Sequence, residues 1–300
     1  MRKRLEILFV LMLFSATAML AQMTTSGING MVTAGGDKAI GATVTAVHEP
    51  SGTTYNTVVN ESGRYSINGM RVGGPYTVKV SYIGYTTSVT KDVTLQLAES
   101  YSLNVKLAED ANELGEVVVS AKATKFTAER TGASTNINLR QLENMPTVSR
   151  SITDFTRLSP YGGNGMSFAG TDGRTANFTV DGANFNNNFG LSDGLPGGGN
   201  PISIDAIEEM QVVISPYDVR QTNFIGGGVN AITKSGTNTF KGTAYIYHQN
   251  ENMRGDAIER EQISGAREKD QKTTYGFTLG GPIIKNKLFF FVSGEMSKTP

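Results

Sequence analysis

The chain has no cysteine, no tryptophan and only two histidines, His48 and His248, among its 300 residues. Without cysteine there can be no disulfide framework, thiolate zinc site, thiol redox chemistry or cysteine nucleophile. The two histidines fall in different segments, which leaves neither a Ser–His–Asp triad nor a histidine metal centre. We therefore assign no catalytic residue, no metal ligand and no cofactor, and expect no enzyme. Charge imbalance is missing too: 27 Lys and Arg oppose 27 Asp and Glu, so nothing draws the chain as a whole to nucleic acid. Gly197-Gly198-Gly199 and Gly226-Gly227-Gly228 lack the strand-to-helix setting and the Lys-Ser/Thr ending that phosphate binding requires. What the chain does have is glycine, 35 of them, the mark of a turn-rich fold.

The first residues point to export. Met1-Arg2-Lys3-Arg4 is a basic start, followed by a mostly apolar run to Leu20 broken by Glu6 and Ser15-Ala16-Thr17. This is expected to be a signal peptide over residues 1–21, cleaved after Ala21 or, second choice, Ala18, because it is short for a membrane span of about 20 apolar residues. An uncleaved anchor helix is the alternative.

Residues 24–108 read as an all-β sandwich. Short alternating runs, among them Ala42 to Val47, Tyr55 to Val59 and Tyr76 to Val80, are spaced by turn residues at Glu61-Ser62-Gly63 and Gly73-Gly74-Pro75. His48 is expected at a strand edge. Tyr82 and Tyr85 suit packing between sheets better than stacking on a sugar. The run Gly27-Ile28-Asn29-Gly30, Ile40 to Val44, Glu61 to Ile67 and Tyr76 to Tyr85 resembles the carboxypeptidase-regulatory-like domain, a transthyretin-like sandwich. The resemblance implies an accessory module, classed with carbohydrate-binding-like folds, without peptidase chemistry.

Residues 109–133 are a polar linker carrying one strand-like run, Glu116-Val117-Val118-Val119-Ser120-Ala121. Such a strand must pair with something: the sandwich, the next domain, or the sheet edge of another protein. Residues 134–238 read as a compact α/β domain. Asn138 caps a helix that stops before Pro146, and Ser151 with Asp154 forms a capping box ahead of Ile152, Phe155 and Leu158 on one face. Strands are expected at 177–180, 210–214 and 229–233. The Asn- and Gly-rich stretch from Gly182 to Asn200 is too long for a simple connection. Its Asn186, Asn187, Asn188 and Asp193, with Asp181, offer oxygens to calcium, yet they lack bidentate spacing and read as a surface loop.

Val180-Asp181-Gly182, then Ile204 to Val212, then Gly226-Gly227-Gly228-Val229-Asn230-Ala231-Ile232-Thr233-Lys234 together resemble the plug domain of TonB-dependent outer-membrane receptors, and the passage from Thr233 to Gly242 is similar to the Oar-like group of Bacteroidetes-type receptors. After the central strand, where many plugs carry Arg-Gly-Pro, Ile214-Ser215-Pro216 keeps only the proline. The resemblance implies that Asp181, Gly182, Gly227, Gly228 and Asn230 are plug-motif positions and that Glu116 to Ala121 is a TonB box, a strand that adds to the energy-transducing protein TonB of an inner-membrane complex. Ligand-facing loops are expected at Tyr161 to Asp172, with Tyr161, Asn164 and Asp172, and at Asn184 to Gly199, with Asn184, Asn186, Asn187, Asn188 and Asp193.

Residues 239–300 alternate as outer-membrane strands do: strand to Gln249, long charged loop to Lys272, strand to Gly281, short turn at Pro282 to Lys287, strand from Leu288 to Met296. Tyr275, Phe277 and Leu279 share one face, and Leu288, Phe290, Val292 and Met296 another strand's matching face. Three strands leave open edges that a bilayer does not tolerate, so the chain is expected to be the N-terminal part of a longer barrel. The expected function is uptake of a peptide or protein, an oligosaccharide or a metal chelate across the outer membrane, the barrel lying in lipid and the sandwich in the periplasm. The alternative is a periplasmic or surface carbohydrate-binding or adhesion module that transports nothing.

Overall fold

The computed structural model describes residues 24–109, 117–120, 133–145, 147, 150–186, 195, 200–215, 221, 225–253, 257–258, 261–262 and 270–298. The expected signal peptide lies outside these residues. The chain divides between Lys234 and Ser235 into two compact units.

The first strands are β1 (Ser26–Ala34), β2 (Asp37–Lys38), β3 (Thr43–His48), β4 (Thr53–Val58), β5 (Arg64–Met70), β6 (Gly73–Ser81), β7 (Ser88–Leu95), β8 (Ser100–Ser102), β9 (Val105–Leu107) and β10 (Val117–Ser120). They form two sheets. In one, β1 lies antiparallel to β2 and β5 and parallel to β8 and β9. The other runs β10-β7-β6-β3-β4. Period-two alternation sends Val44 and Ala46 of β3, and Tyr76, Val78 and Val80 of β6, into a shared core with Ile28, Val32, Tyr65, Val93 and Leu95. Full burial of each such aliphatic side chain is worth about 1.5–3 kcal/mol. Gly73-Gly74-Pro75 is not a turn, as the sequence suggested, but the opening of β6, where the register against β7 shifts and releases these residues from regular pairing.

The second group comprises β11 (Ala133–Asn138), α1 (Leu139–Asn144), α2 (Ile152–Thr156), β12 (Asn177–Val180), β13 (Ala183–Asn184), β14 (Ile207–Ser215) and β15 (Gly228–Thr233). The sheet order is β11-β14-β15-β12-β13, and only β12 and β15 run parallel. Both helices start as the sequence predicts: Asn138 and Gln141, and Ser151 and Asp154, make reciprocal capping boxes. They are short, 6 and 5 residues, so the expected α/β segment is in fact a mainly antiparallel sheet with helical pieces. Because α2 ends at Thr156, Leu158 falls out of phase with Ile152 and Phe155 and is partly exposed. The core joins Ile137, Leu142, Ile152, Phe155, Phe168, Phe178, Met210, Val212 and Val229.

The second unit holds β16 (Lys241–Gln249), the two-residue pair β17 (Ala257–Ile258) and β18 (Glu261–Gln262), then β19 (Lys272–Ile284) and β20 (Leu288–Lys298). β16, β19 and β20 make an antiparallel meander. β19 runs on through Pro282, expected in the turn: the proline pairs with Phe289 beyond the point where β16 stops, opposite Gly280, and a register shift follows it.

Candidate functional site

Valine-rich β10 pairs in parallel with β7 at four consecutive positions, from Val117 opposite Ser88 to Ser120 opposite Lys91. Of the partners left open by the sequence, the sandwich is the one it meets. Glu116 and Ala121 lie outside the described residues. Among the described residues β10 is the last strand of its sheet and pairs along one edge, with β7.

Just beyond β7, the backbone of Leu97 is gripped by the other sheet. Its N–H donates to Glu209 Oε1 at 3.1 Å, and its carbonyl accepts from Gln211 Nε2 at 2.9 Å and from Asn136 Nδ2 at 3.4 Å. Val72, Leu97 and Ile232 close an apolar contact beside these bonds. Glu209 and Gln211 are 4% and 2% exposed, though they occupy the polar positions of β14. Burial pushes the Glu209 carboxyl up to about 8; Glu99 and Glu208 push the same way, while the Leu97 N–H works against them. The sequence showed Glu209 and Gln211 alternating with Met210 and Val212, a pattern that ordinarily marks a solvent face. The covering sandwich loop, distant in sequence, was the hidden term.

The residues expected as a plug motif lie along the parallel pair β12 and β15: Gly227 and Gly228 beside the start of β12, Asp181 and Gly182 past its end, and Asn230 between them, opposite Thr179. Asp181 and Gly182 take left-handed backbones, φ 49° and 83°, and make the two-residue link from β12 to β13. The Asp181 carboxylate accepts from the Thr233 N–H at 2.9 Å and from its hydroxyl at 2.7 Å, tying the end of β15 to the turn. Asn230 Oδ1 accepts from the Thr179 hydroxyl at 3.0 Å. Gly228 opens β15, and at Gly227 an added Cβ would sit 2.6 Å from the Phe168 ring. These residues do structural work at strand ends; among the described residues no group of three or more His, Cys, Asp or Glu gathers for a metal.

The loop residues are tied locally. Tyr161 is half exposed, and its carbonyl accepts from Ala169 N–H. Asn164 accepts from Arg157, and Asp172 caps a 3-10 turn and pairs with Arg174, which holds its carboxyl down at about 2. Asn184 Oδ1 accepts from the Asn186 N–H, and Asn186 Oδ1 from the Phe178 N–H at 2.6 Å. Asn187, Asn188 and Asp193 lie outside the described residues. Asn200 closes the long loop onto α2, its Oδ1 accepting from the Ile152 N–H at 3.0 Å.

His48 is not at an edge: β3 has neighbours on both sides, and the ring is buried 4.8 Å from Tyr76 with Nδ1 bonded to the Ser51 hydroxyl at 2.6 Å. Tyr82 and Tyr85 stack on each other at 5.6 Å and pack against the core, as expected.

The second unit sorts its faces. Ile246, Tyr275, Phe277, Leu279, Val292 and Met296 share one face by register, and all are exposed. The opposite face joins Thr243 to Thr278 at 2.6 Å, Thr274 to Ser297 at 2.8 Å and the Tyr245 hydroxyl to Glu295 at 2.7 Å. An apolar exposed face backed by a hydrogen-bonded polar one is the division expected of a sheet between lipid and a wet lumen.

Residues 27–108 match the carboxypeptidase regulatory-like domain family, and residues 232–299 match an outer membrane beta barrel domain. The chain is 27% identical over 260 residues to the TonB-dependent transporter Oar of Myxococcus xanthus, covering 81% of this chain and 24% of that one. It is 29% identical over 184 residues to a probable TonB-dependent siderophore receptor, PirA, of Acinetobacter baumannii, covering 54% and 22%. The crystal structure of the siderophore receptor PirA from Acinetobacter baumannii superposes with a TM-score of 0.40 at 24% identity over 56% of this chain and 24% of that one. The chain thus spans about a quarter of the length of the curated relatives it matches.

Proposed function

We propose that this chain, a relative of the TonB-dependent transporters carrying a regulatory-like sandwich and an outer-membrane barrel segment, works in ligand uptake across the outer membrane, driven by TonB and its inner-membrane energising complex. The observation that carries the reading is the sheet β16-β19-β20, whose register puts the exposed side chains of Ile246, Tyr275, Phe277, Leu279, Val292 and Met296 on one face and the polar bonds on the other. Among the described residues β16 and β20 are its outer strands, and in the barrel reading their outer edges pair with further strands around a lumen. In this reading residues 239–300 open the barrel, residues 134–238 form its plug, residues 109–133 link to TonB through Val117–Ser120, and residues 24–108 stand in the periplasm.

The plug assignment is supported by the Asp181–Thr233 tie and the Gly227–Phe168 contact, which make a stiff scaffold for the loops at Tyr161 to Asp172 and Asn184 to Gly199. Those loops are where the transported ligand would be met. Its class is drawn from peptides or proteins, oligosaccharides and metal chelates, and the likeness to a probable siderophore receptor puts ferric chelates first in a screen.

The test is envelope fractionation of cells expressing the whole reading frame that contains this chain. Recovery in the outer membrane, released only by detergent, is the expected result. Recovery as a soluble periplasmic protein that binds glycans would replace transport with the adhesion reading.

A further inference from the structure

A strand aims its backbone groups alternately to either side, so pairing with β7 leaves half of those on β10 directed away from the sandwich. Four consecutive residues are in register, Val117 with Ser88, Val118 with Val89, Val119 with Thr90 and Ser120 with Lys91. β10 is also the last strand in the order β10-β7-β6-β3-β4, so its far side is the margin of that sheet among the described residues.

We propose that the sandwich presents Val117–Ser120 as a preformed sheet edge, onto which an incoming strand of TonB adds while β10 stays on β7. The proposal rests on the reading of this segment as the TonB-binding strand and assigns the sandwich its role in that contact. A loose peptide must have its backbone fixed as it binds, at about 1–2 kcal/mol per residue. Held on β7, the segment has met that cost before its partner arrives. The partner's strand, β10 and β7 then form one continuous sheet. The opposite arrangement, in which β7 hides the strand until it is pulled free, would need the partner to use the same edge of β10 that β7 occupies.

The cysteine-free sequence makes the two arrangements separable. Thr90→Cys and Val119→Cys, placed at Cα partners in the ladder, lock β10 to β7 when oxidised and free it when reduced. Calorimetry of the full chain with a purified TonB C-terminal domain is expected to give oxidised and reduced affinities within about tenfold of each other. A greater loss on oxidation, restored by reductant, overturns the proposal in favour of a hidden strand. Where the cross-link does not form, amide exchange of the unaltered chain decides: those amides of Val117 to Ser120 that face β7 should exchange at least about tenfold more slowly than in the same sequence as a free peptide, and exchange of all four at the peptide rate overturns the proposal. Val118→Pro in the same calorimetry separates this from the underlying reading. Unchanged affinity for that variant removes the strand's role in binding TonB altogether, whereas weakened binding with a harmful lock removes only its presentation by the sandwich.

Discussion

At Asp181 backbone and side chain ask for the same residue. The left-handed φ of 49° excludes most side chains, and the carboxylate holds two groups of Thr233 from across the sheet. Asp181→Ala should therefore cost about 2–3 kcal/mol, seen as a lower midpoint in urea unfolding, while Asp181→Asn, which tolerates the backbone and keeps one acceptor, should cost about half as much. His48 sets a different dependence. Its pKa falls from 6.5 to about 4, chiefly through burial and secondarily through Arg71, so the folded sandwich takes up its proton later than the unfolded chain does. Stability from this residue is complete above pH 6.5 and is lost as pH falls towards 4. Thermal melts between those pH values should show the loss, and His48→Gln should flatten it.

Among the elements, those whose causes are local were legible in the sequence. Asn138 as a cap, and Ser151 with Asp154 as a capping box, announce α1 and α2 because a helix cap lies within four residues of chain. The period-two alternation of Tyr275, Phe277 and Leu279 likewise gives the exposed face of β19. What escaped depends on partners far away in sequence: the pairing of β10, the cover over Glu209 and Gln211, the burial of His48, and the continuation of β6 and β19 through their prolines at register shifts. The site followed the same rule, since the residues expected as a plug motif line the β12–β15 pair, while the described loop residues expected to face a ligand are held by nearby groups, Asn186 by the Phe178 N–H of β12 among them. The faces of β20 invite a paired test. In the barrel reading, Val292→Arg at mid-membrane should cost about 2–4 kcal/mol and reduce folded, heat-modifiable protein in the outer membrane, whereas Ser293→Arg, on the other face, should leave assembly near normal. Equal tolerance of both would contradict the lipid-facing assignment.

For the first unit as a whole, the decisive joint is the grip of β14 on Leu97. Glu209 there is held with a pKa raised from 4.5 to about 8, by burial first and by Glu99 and Glu208 after it. The folded protein keeps this proton where the unfolded chain has lost it, so the stabilisation is full below pH 4.5 and is lost as pH rises through 8. Amide exchange around Leu97 should therefore quicken between pH 6 and 9 by more than intrinsic chemistry explains, and Glu209→Gln should abolish the excess. An excess that persisted in that variant would place the titrating group elsewhere.

The grip on Leu97 is made to a peptide N–H and a peptide carbonyl, groups that every residue except proline carries. The polar half of the joint consequently reads the path of the chain and not its letters. A foreign sandwich whose loop follows the same course, with an apolar side chain at the Leu97 position, should seat on β14 as well as the native one. The module is in this sense interchangeable, and its surface can diverge in sequence without uncoupling it from the sheet it rests upon.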